Sequence, residues 1–295
     1  MSTAADSEAQ TTAPASGAAS LPLALQRLGP RFWIPIAWTT MVVVLAATAN
    51  LLPLHSPIEA DFTVISNWPD ATYWFGTDQL GRDIFSRSVF GARISLIVGL
   101  LAPAFGLGVG IFLGMAAGYF RGRTESIIVA AMDAIMAFPG ILVALAVTAY
   151  VGANIAILIF LLGFLTIPAF MRVARANTLV FAQREFVLAA RAMGATHRRV
   201  LTLEILPNVV VPMLIYALLV VSRTIVMEGV LSFLGLSVPP PQPTWGNMIA
   251  DGQTDLATLP YIPFIPSALM ILTVLSFNLI GESLRAQTDF RGSAL

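Results

Sequence analysis

Apolar residues run through this chain in long uninterrupted stretches separated by short polar segments. They do not recur at the three-or-four-residue spacing of a helix half in water. Six stretches reach or approach the ~20 residues that cross a bilayer core of about 30 Å at about 1.5 Å per residue. They are residues 32–54, 94–120, 127–150, 155–171, 208–228 and 264–280. The pattern predicts an all-α polytopic membrane protein with six transmembrane helices and both termini on one side. Residues 1–31 open with small and polar positions, with Asp6 and Glu8 where a secretory signal would be basic, and read as a disordered cytoplasmic tail. Residues 282–295 read as a cytoplasmic tail at the other end.

Composition sharpens the class. Hydrophobic residues make up 57% of the chain, and the mean hydropathy is +0.82. All sixteen basic residues are arginine. A P-loop and a Schiff-base site each need a lysine, so any nucleotide hydrolysis must come from a partner. The absence of cysteine removes disulfides, zinc-thiolate sites and thiol catalysis, and zero formal charge gives no sign of nucleic acid. His55 and His197 fall on opposite sides of the membrane with no nucleophile-base or metal-ligand spacing, which disfavours an intramembrane enzyme.

The arginines choose the orientation. With the N-terminus inside, twelve of the sixteen, including Arg172, Arg184, Arg198 and Arg285, are cytoplasmic. Arg82, Arg87 and Arg93 lie outside and Arg223 lies within a span, so the positive-inside rule favours this arrangement. Residues 55–93 then form an extracytoplasmic segment. In "TDQLGRDIFSRSVFGAR", Thr77 can cap a helix, while Asp78–Arg82 and Asp83–Arg87 are acid-before-base pairs at i, i+4. An amphipathic helix on the outer surface is expected there, with an ordinary connecting loop as the alternative. Residues 94–281 are read as the core of the remaining five helices.

One charged island interrupts the core. Residues 184–208, "REFVLAARAMGATHRRVLTLEILPN", are helix-forming, with Gly194 suited to a left-handed bend, Thr196 to a cap, and Pro207 to interrupting a second helix. Phe186, Ala189, Ala190 and Met193 fall on one face. That face either packs on the protein's own helix ends or docks a cytoplasmic partner.

"EFVLAARAMGA" followed by "ILPN" resembles the EAA loop of the membrane subunits of ATP-binding-cassette (ABC) importers, here about residues 172–207. Ala189, Ala190, Gly194, Leu206 and Pro207 match that pattern. Leu188 departs from its glutamate, while Glu185 stands where the dipeptide, oligopeptide and nickel branch places its acid. "FGTDQLGRDIFSR", "MDAIMAFPG", "LSFLGLSVPPPQPTWGNMIADG" and "FNLIGESLR" resemble the second permease subunit of that branch, so the likeness covers about residues 75–285. The resemblance implies a type I importer transmembrane fold with cytoplasmic coupling helices. It implies a homologous permease partner, two ATP-binding subunits that use ATP and Mg, and an extracytoplasmic solute-binding protein, all at a bacterial cell membrane. Peptide uptake is the leading expectation for the solute, followed by nickel or another small solute. No cofactor is expected on this chain itself.

Four further features sit inside the apolar runs. Gly106, Gly110, Gly114 and Gly118 recur every four residues, a stripe that permits close helix contact in lipid or lines a channel wall. Asp133, Arg223 and Glu228 are intramembrane charges that either pair between helices or line the pathway. Arg223 and Glu228 are about 140° apart around a helix, poorly placed to pair with each other. Pro139 and Gly140 predict a kink, and the proline-rich loop ending in Trp245 is expected at the membrane interface as a rigid cap or as a surface for the binding protein. The competing functional reading is an ion-coupled secondary transporter that uses Asp133 and Glu228, a class that often carries two matching halves.

Overall fold

The computed structural model describes residues 29–292, with side chains through Gln287. The expected tail over residues 1–31 therefore lies outside the described residues, apart from its last three. Nine α-helices follow along the described residues: α1 (Pro30–Thr48), α2 (Ile84–Phe120), α3 (Gly122–Met136), α4 (Gly140–Val151), α5 (Ile155–Phe181), α6 (Glu185–Ala192), α7 (His197–Phe233), α8 (Trp245–Gly252) and α9 (Tyr261–Gly292). No strand occurs among them. Five helices are long and apolar enough to cross a membrane, and α3 with α4, bent by 73°, reach that length and apolarity only as a pair, the geometry of a broken span or a re-entrant loop. The break falls at Pro139, whose ring and missing N–H end one helical segment and whose extended backbone starts the next.

The spans are longer than the apolar runs because polar and charged turns extend the helices beyond the lipid. α5 continues from 171 to Phe181, and α9 continues past 281 to Gly292, so residues 282–292 are helix and not a separate tail. α1 stops at Thr48, short of residue 54. Pro207 does not interrupt α7. A π-helical stretch, Val200–Ile205, precedes it and accommodates the proline, and Asn208 Nδ2 donates to the Glu204 carbonyl at 2.7 Å.

The long helices α2 and α5 form the closest contact in the bundle, and the glycine stripe is where they meet. A methyl group placed on Gly106 would come within 2.8 Å of the Gly163 carbonyl, on Gly110 within 3.0 Å of the Met171 amide, and on Gly118 within 2.9 Å of the Arg175 carbonyl. At Gly114 it would meet Ala174 Cβ at 2.5 Å. Gly163 returns the fit, with the Ala102 carbonyl 2.8 Å from its missing Cβ. In lipid, where apolar burial gives no net drive, such backbone proximity supplies the dispersion contact that holds two helices together. Arg172 of α5 pairs with Asp133 of α3 at 2.6 Å, and Arg175 pairs with Glu125, so the bent pair is tied to the same helix.

The expected surface helix within residues 55–93 is absent. α2 begins directly at Ile84, capped by Asp83, which accepts from the amides of Phe85 at 3.0 Å and Ser86 at 3.3 Å. Thr77 caps nothing. It is buried, accepts from the Asn67 amide at 2.9 Å and donates to the Val64 carbonyl. The sequence pairs are real in one case only: Arg82 Nε meets Asp78 at 2.7 Å, whereas Arg87 turns away from Asp83 to Asp78 at 3.4 Å and Asp251 at 3.6 Å. These arginines are buried as an ion cluster that locks residues 78–87 to α8. Arg93 has another task. Its Nε donates to the Ala46 carbonyl at 2.9 Å and its Nη1 to the Asn50 side chain at 3.3 Å, satisfying the C-terminal end of α1.

Trp245 is a core residue, 1% exposed, not an interfacial one. It starts α8 under a capping box in which the Thr244 hydroxyl accepts from the Asn247 amide at 3.1 Å and Asn247 Oδ1 accepts from the Thr244 amide at 2.9 Å. Around it pack Ala92, Leu96, Ile225 and Phe277, with Val42 and Ala46 of α1.

Candidate functional site

The charged island folds as one rigid corner. α6 starts at Glu185 and carries Arg191 in its last turn, an acid at its N-terminal end and a base at its C-terminal end, both favourable to the helix dipole. At its far end the Ala195 amide bonds back to the Ala190 carbonyl at 3.0 Å, and the Gly194 amide to the Arg191 carbonyl at 3.0 Å. This is a Schellman closure, and Gly194 takes the left-handed φ of +82° it requires. Thr196 then caps α7 by accepting from the Arg199 amide at 3.4 Å.

The apolar face expected on α6 is divided by the structure. Ala190, 8% exposed, turns inward beside Val187, which is wholly buried against Phe170, Ala174, Val200, Ile205 and Val209. Phe186, Leu188, Ala189 and Met193 face outward, Met193 with 82% of its surface exposed. One side of the helix thus packs on the protein's own helix ends, and the other is left uncovered. Glu185 is exposed, Leu206 half-buried on the same core, and Pro207 exposed. His197, with no sequence signal for a contact, joins the Tyr119 hydroxyl at 2.8 Å and so fastens the end of α2 to the start of α7.

The intramembrane charges separate. Asp133 is at the α3–α5 ion pair described above. Glu228 is wholly buried and accepts from the hydroxyls of Ser95 at 2.8 Å and Ser237 at 3.0 Å, partners from α2 and the proline-rich loop. Arg223 faces the other way, onto a cavity of about 250 Å³ between α5, α7 and the start of α4. The two do not meet. Outside the spans, burial pushes the Asp251 carboxyl above its ordinary range, against the pull of Arg87 and Arg82. Among the described residues no three of His, Cys, Asp and Glu gather as a metal site.

Residues 110–291 match the family described as binding-protein-dependent transport system inner membrane component. The chain belongs to this family. A glutathione transport system permease protein, GsiD, of Pectobacterium atrosepticum is 38% identical over 260 residues, covering 87% of this chain and 86% of the relative. The proteins of the same name from Escherichia coli and Shigella boydii are 39% identical over 250 residues, covering 84% of this chain and 82% of theirs. As a member of this family the chain is the multi-pass inner-membrane permease of an ABC importer of the peptide and nickel group, with the type I transmembrane fold. Its work is transport and not catalysis, in an assembly with a second permease, ATPase subunits and a binding protein. The ion-coupled alternative falls with this assignment. Asp133, one of its two proposed ion ligands, is engaged by Arg172.

Proposed function

We propose that this permease passes small peptides inward, glutathione foremost, and that α6 is the element through which a partner ATPase drives it. The observation that carries the coupling is the split face of α6. Val187 and Ala190 fix the helix to the roots of α5 and α7, while Phe186, Leu188, Ala189 and Met193 remain uncovered beside it. A short rod so anchored moves as one body with α7, and α5 and α7 both line the cavity. Displacement of α6 by the closing ATPase is thereby delivered to the pathway wall. The two nucleotide states of the ATPase must bind α6 differently for energy to pass, since only differential affinity shifts a conformational equilibrium.

In this reading both termini and α6 are cytoplasmic, and Glu185, Ala189, Gly194, Leu206 and Pro207 belong to the coupling corner. The segment 55–83 and α8 face the opposite side, where a solute-loaded binding protein delivers its cargo. A homologous permease completes the pathway, and two ATP-binding subunits supply ATP and Mg chemistry. The glutathione assignment comes from the relatives, whose names state that substrate.

The test is a cysteine pair in the assembled importer. This chain has no cysteine of its own. Met193→Cys should cross-link to cysteines placed on the ATPase surface, with a yield that changes between ATP-bound and ATP-free states. Cross-linking to the binding protein instead would reverse the orientation and refute the coupling role.

A further inference from the structure

Tyr216, Val220, Arg223 and Met227 follow one another at four, three and four residues, and so lie along one face of α7. That face looks into the 250 Å³ cavity. Its opposite wall is α5, through Leu162, Thr166 and their neighbours, and its floor is Gly140 just after the Pro139 break. Five other charges in these helices are engaged: Asp133 with Arg172, Glu125 with Arg175, Glu228 with two serines, Arg87 with two aspartates, Arg93 with helix-end carbonyls. Arg223 is exposed and, among the described residues, neither hydrogen-bonds nor ion-pairs with any side chain.

The chemistry of the lining decides what such a cation can meet. No acidic side chain lines the cavity. Thr166 and Thr224 donate their hydroxyl protons within their own helices, to the Gly163 carbonyl at 2.7 Å and the Val220 carbonyl at 2.9 Å. The Tyr216 hydroxyl, two turns from Arg223, makes no hydrogen bond among the described residues. The cavity thus presents a guanidinium fork and a phenolic O–H, both unspent donors, on an otherwise apolar wall. A guanidinium held in a span without a protein partner is costly unless water or a ligand reaches it. Its fork geometry matches a carboxylate better than any neutral group.

We propose that Arg223 is a specificity-determining residue of the pathway, which makes the cavity selective for solutes bearing a carboxylate. The inference rests on the transport reading above and adds the chemical class of cargo that this half of the pathway favours. A free carboxylate enters, meets Arg223 and then Tyr216 along the same helix face, and is released when α5 and α7 separate. A solute with its carboxyls blocked gains nothing from either group, and a cation is repelled.

Met227 lines the same cavity one turn from Arg223, and Met227→Cys supplies a single thiol there. In the pair of permease subunits, with the partner free of cysteine, its labelling rates by an anionic and by a cationic methanethiosulfonate reagent are compared. Arg223→Gln should lower the anionic-to-cationic rate ratio by about tenfold or more, as expected for a fixed charge in a low-dielectric cleft. Arg223→Lys should keep most of the ratio. An unchanged ratio in Arg223→Gln overturns the proposal, and so does a thiol that neither reagent reaches. An acid of the partner permease that neutralises Arg223 would give that unchanged ratio. ATP-driven uptake by the complete importer supplies the second arm, with glutathione and its diethyl ester as cargo. Arg223→Gln should reduce glutathione uptake severalfold more than ester uptake, and equal losses count against the proposal. If the unaltered importer moves neither cargo with ATP, the peptide reading fails while the thiol ratio still decides the cavity's charge selectivity.

Discussion

The indole N–H of Trp245 donates to the backbone carbonyl of Ser88 at 3.1 Å, joining two residues 157 positions apart in the chain. It fixes α8 across the end of the bundle, where Thr244 also hydrogen-bonds Ser232 of α7. Trp245→Phe keeps most of the apolar contact and loses the donor, a cost of about 1 kcal/mol. Trp245→Ala also opens a cavity among Ala92, Ile225 and Phe277 and should cost about 3–5 kcal/mol. Thermal unfolding of the purified permease in detergent reads both; an unchanged Trp245→Phe would deny the hydrogen bond its share, and equal losses would deny the packing its share.

The glycine stripe gives a position-specific expectation. Gly110→Ala forces its methyl against Phe170 and within 3.0 Å of the Met171 amide, so α2 and α5 must part, at about 1–3 kcal/mol. Gly108 lies on the same helix with nothing within 4 Å of a built Cβ. Gly108→Ala should therefore be neutral or stabilising, by up to about 1 kcal/mol from helix propensity. Melting temperatures of the two variants should move in different directions. A shared direction would mean the stripe is not the contact that matters.

The buried ion cluster is asymmetric. Asp78 is almost wholly buried and accepts from Arg82 Nε at 2.7 Å, from the amides of Leu80 at 2.9 Å and Arg82 at 3.0 Å, and faces Arg87 at 3.4 Å. Asp78→Asn leaves two buried guanidinium groups short of charge and should cost about 3–5 kcal/mol. Asp251 is at the rim, and Asp251→Asn should change stability by less than about 1 kcal/mol. Burial raises its folded-state pKa, so its contribution is favourable while protonated and is lost as pH rises through that pKa. The gap between the unaltered protein and Asp251→Asn should then narrow as pH falls through that range, followed by thermal melts at several pH values.

Much of this architecture is legible without coordinates because a bilayer imposes length and apolarity on every span. Residues 94–120 and 155–171 fall within α2 and α5, and the Pro139 break is visible as a Pro-Gly pair. Helix ends are not legible in the same way. Ile84 to Arg93 carry charge, and hydropathy alone cannot tell a surface helix from the buried, ion-paired start of a span. The difference rests on Asp251, far along the chain, which shares Arg82 and Arg87 with Asp78. Pro207 misleads for a related reason: a proline signal marks a lost hydrogen bond, and the π-helical stretch before it absorbs that loss. Trp245 reads as interfacial by residue type, yet its partner carbonyl lies on α2. The corner at the end of α6 is legible in outline through Gly194, but which side of α6 faces inward depends on Val187, which the alanine pattern hides.

The division of α6 sets the last expectation. Ala190→Arg is a poor probe of coupling, since Ala190 faces inward and the variant should fail to fold. Val187→Asp should fail likewise, because its side chain is buried among Phe170, Val200 and Ile205. Met193→Asp changes an exposed position, so it should leave the melting temperature of the isolated permease within about 1 °C, in line with surface substitutions costing under about 0.5 kcal/mol. On the coupling role proposed for α6, the same variant in the assembled importer places a charge against the ATPase. It should cut solute-stimulated ATP hydrolysis and uptake together, by about tenfold, as one desolvated charge at an interface costs about 1.4 kcal/mol or more. Gly194→Ala meets open space around its methyl but strains the left-handed turn, at about 1 kcal/mol, and should show a smaller loss of the same kind. Full activity in Met193→Asp, with the assembly intact, would remove α6 as the driven element.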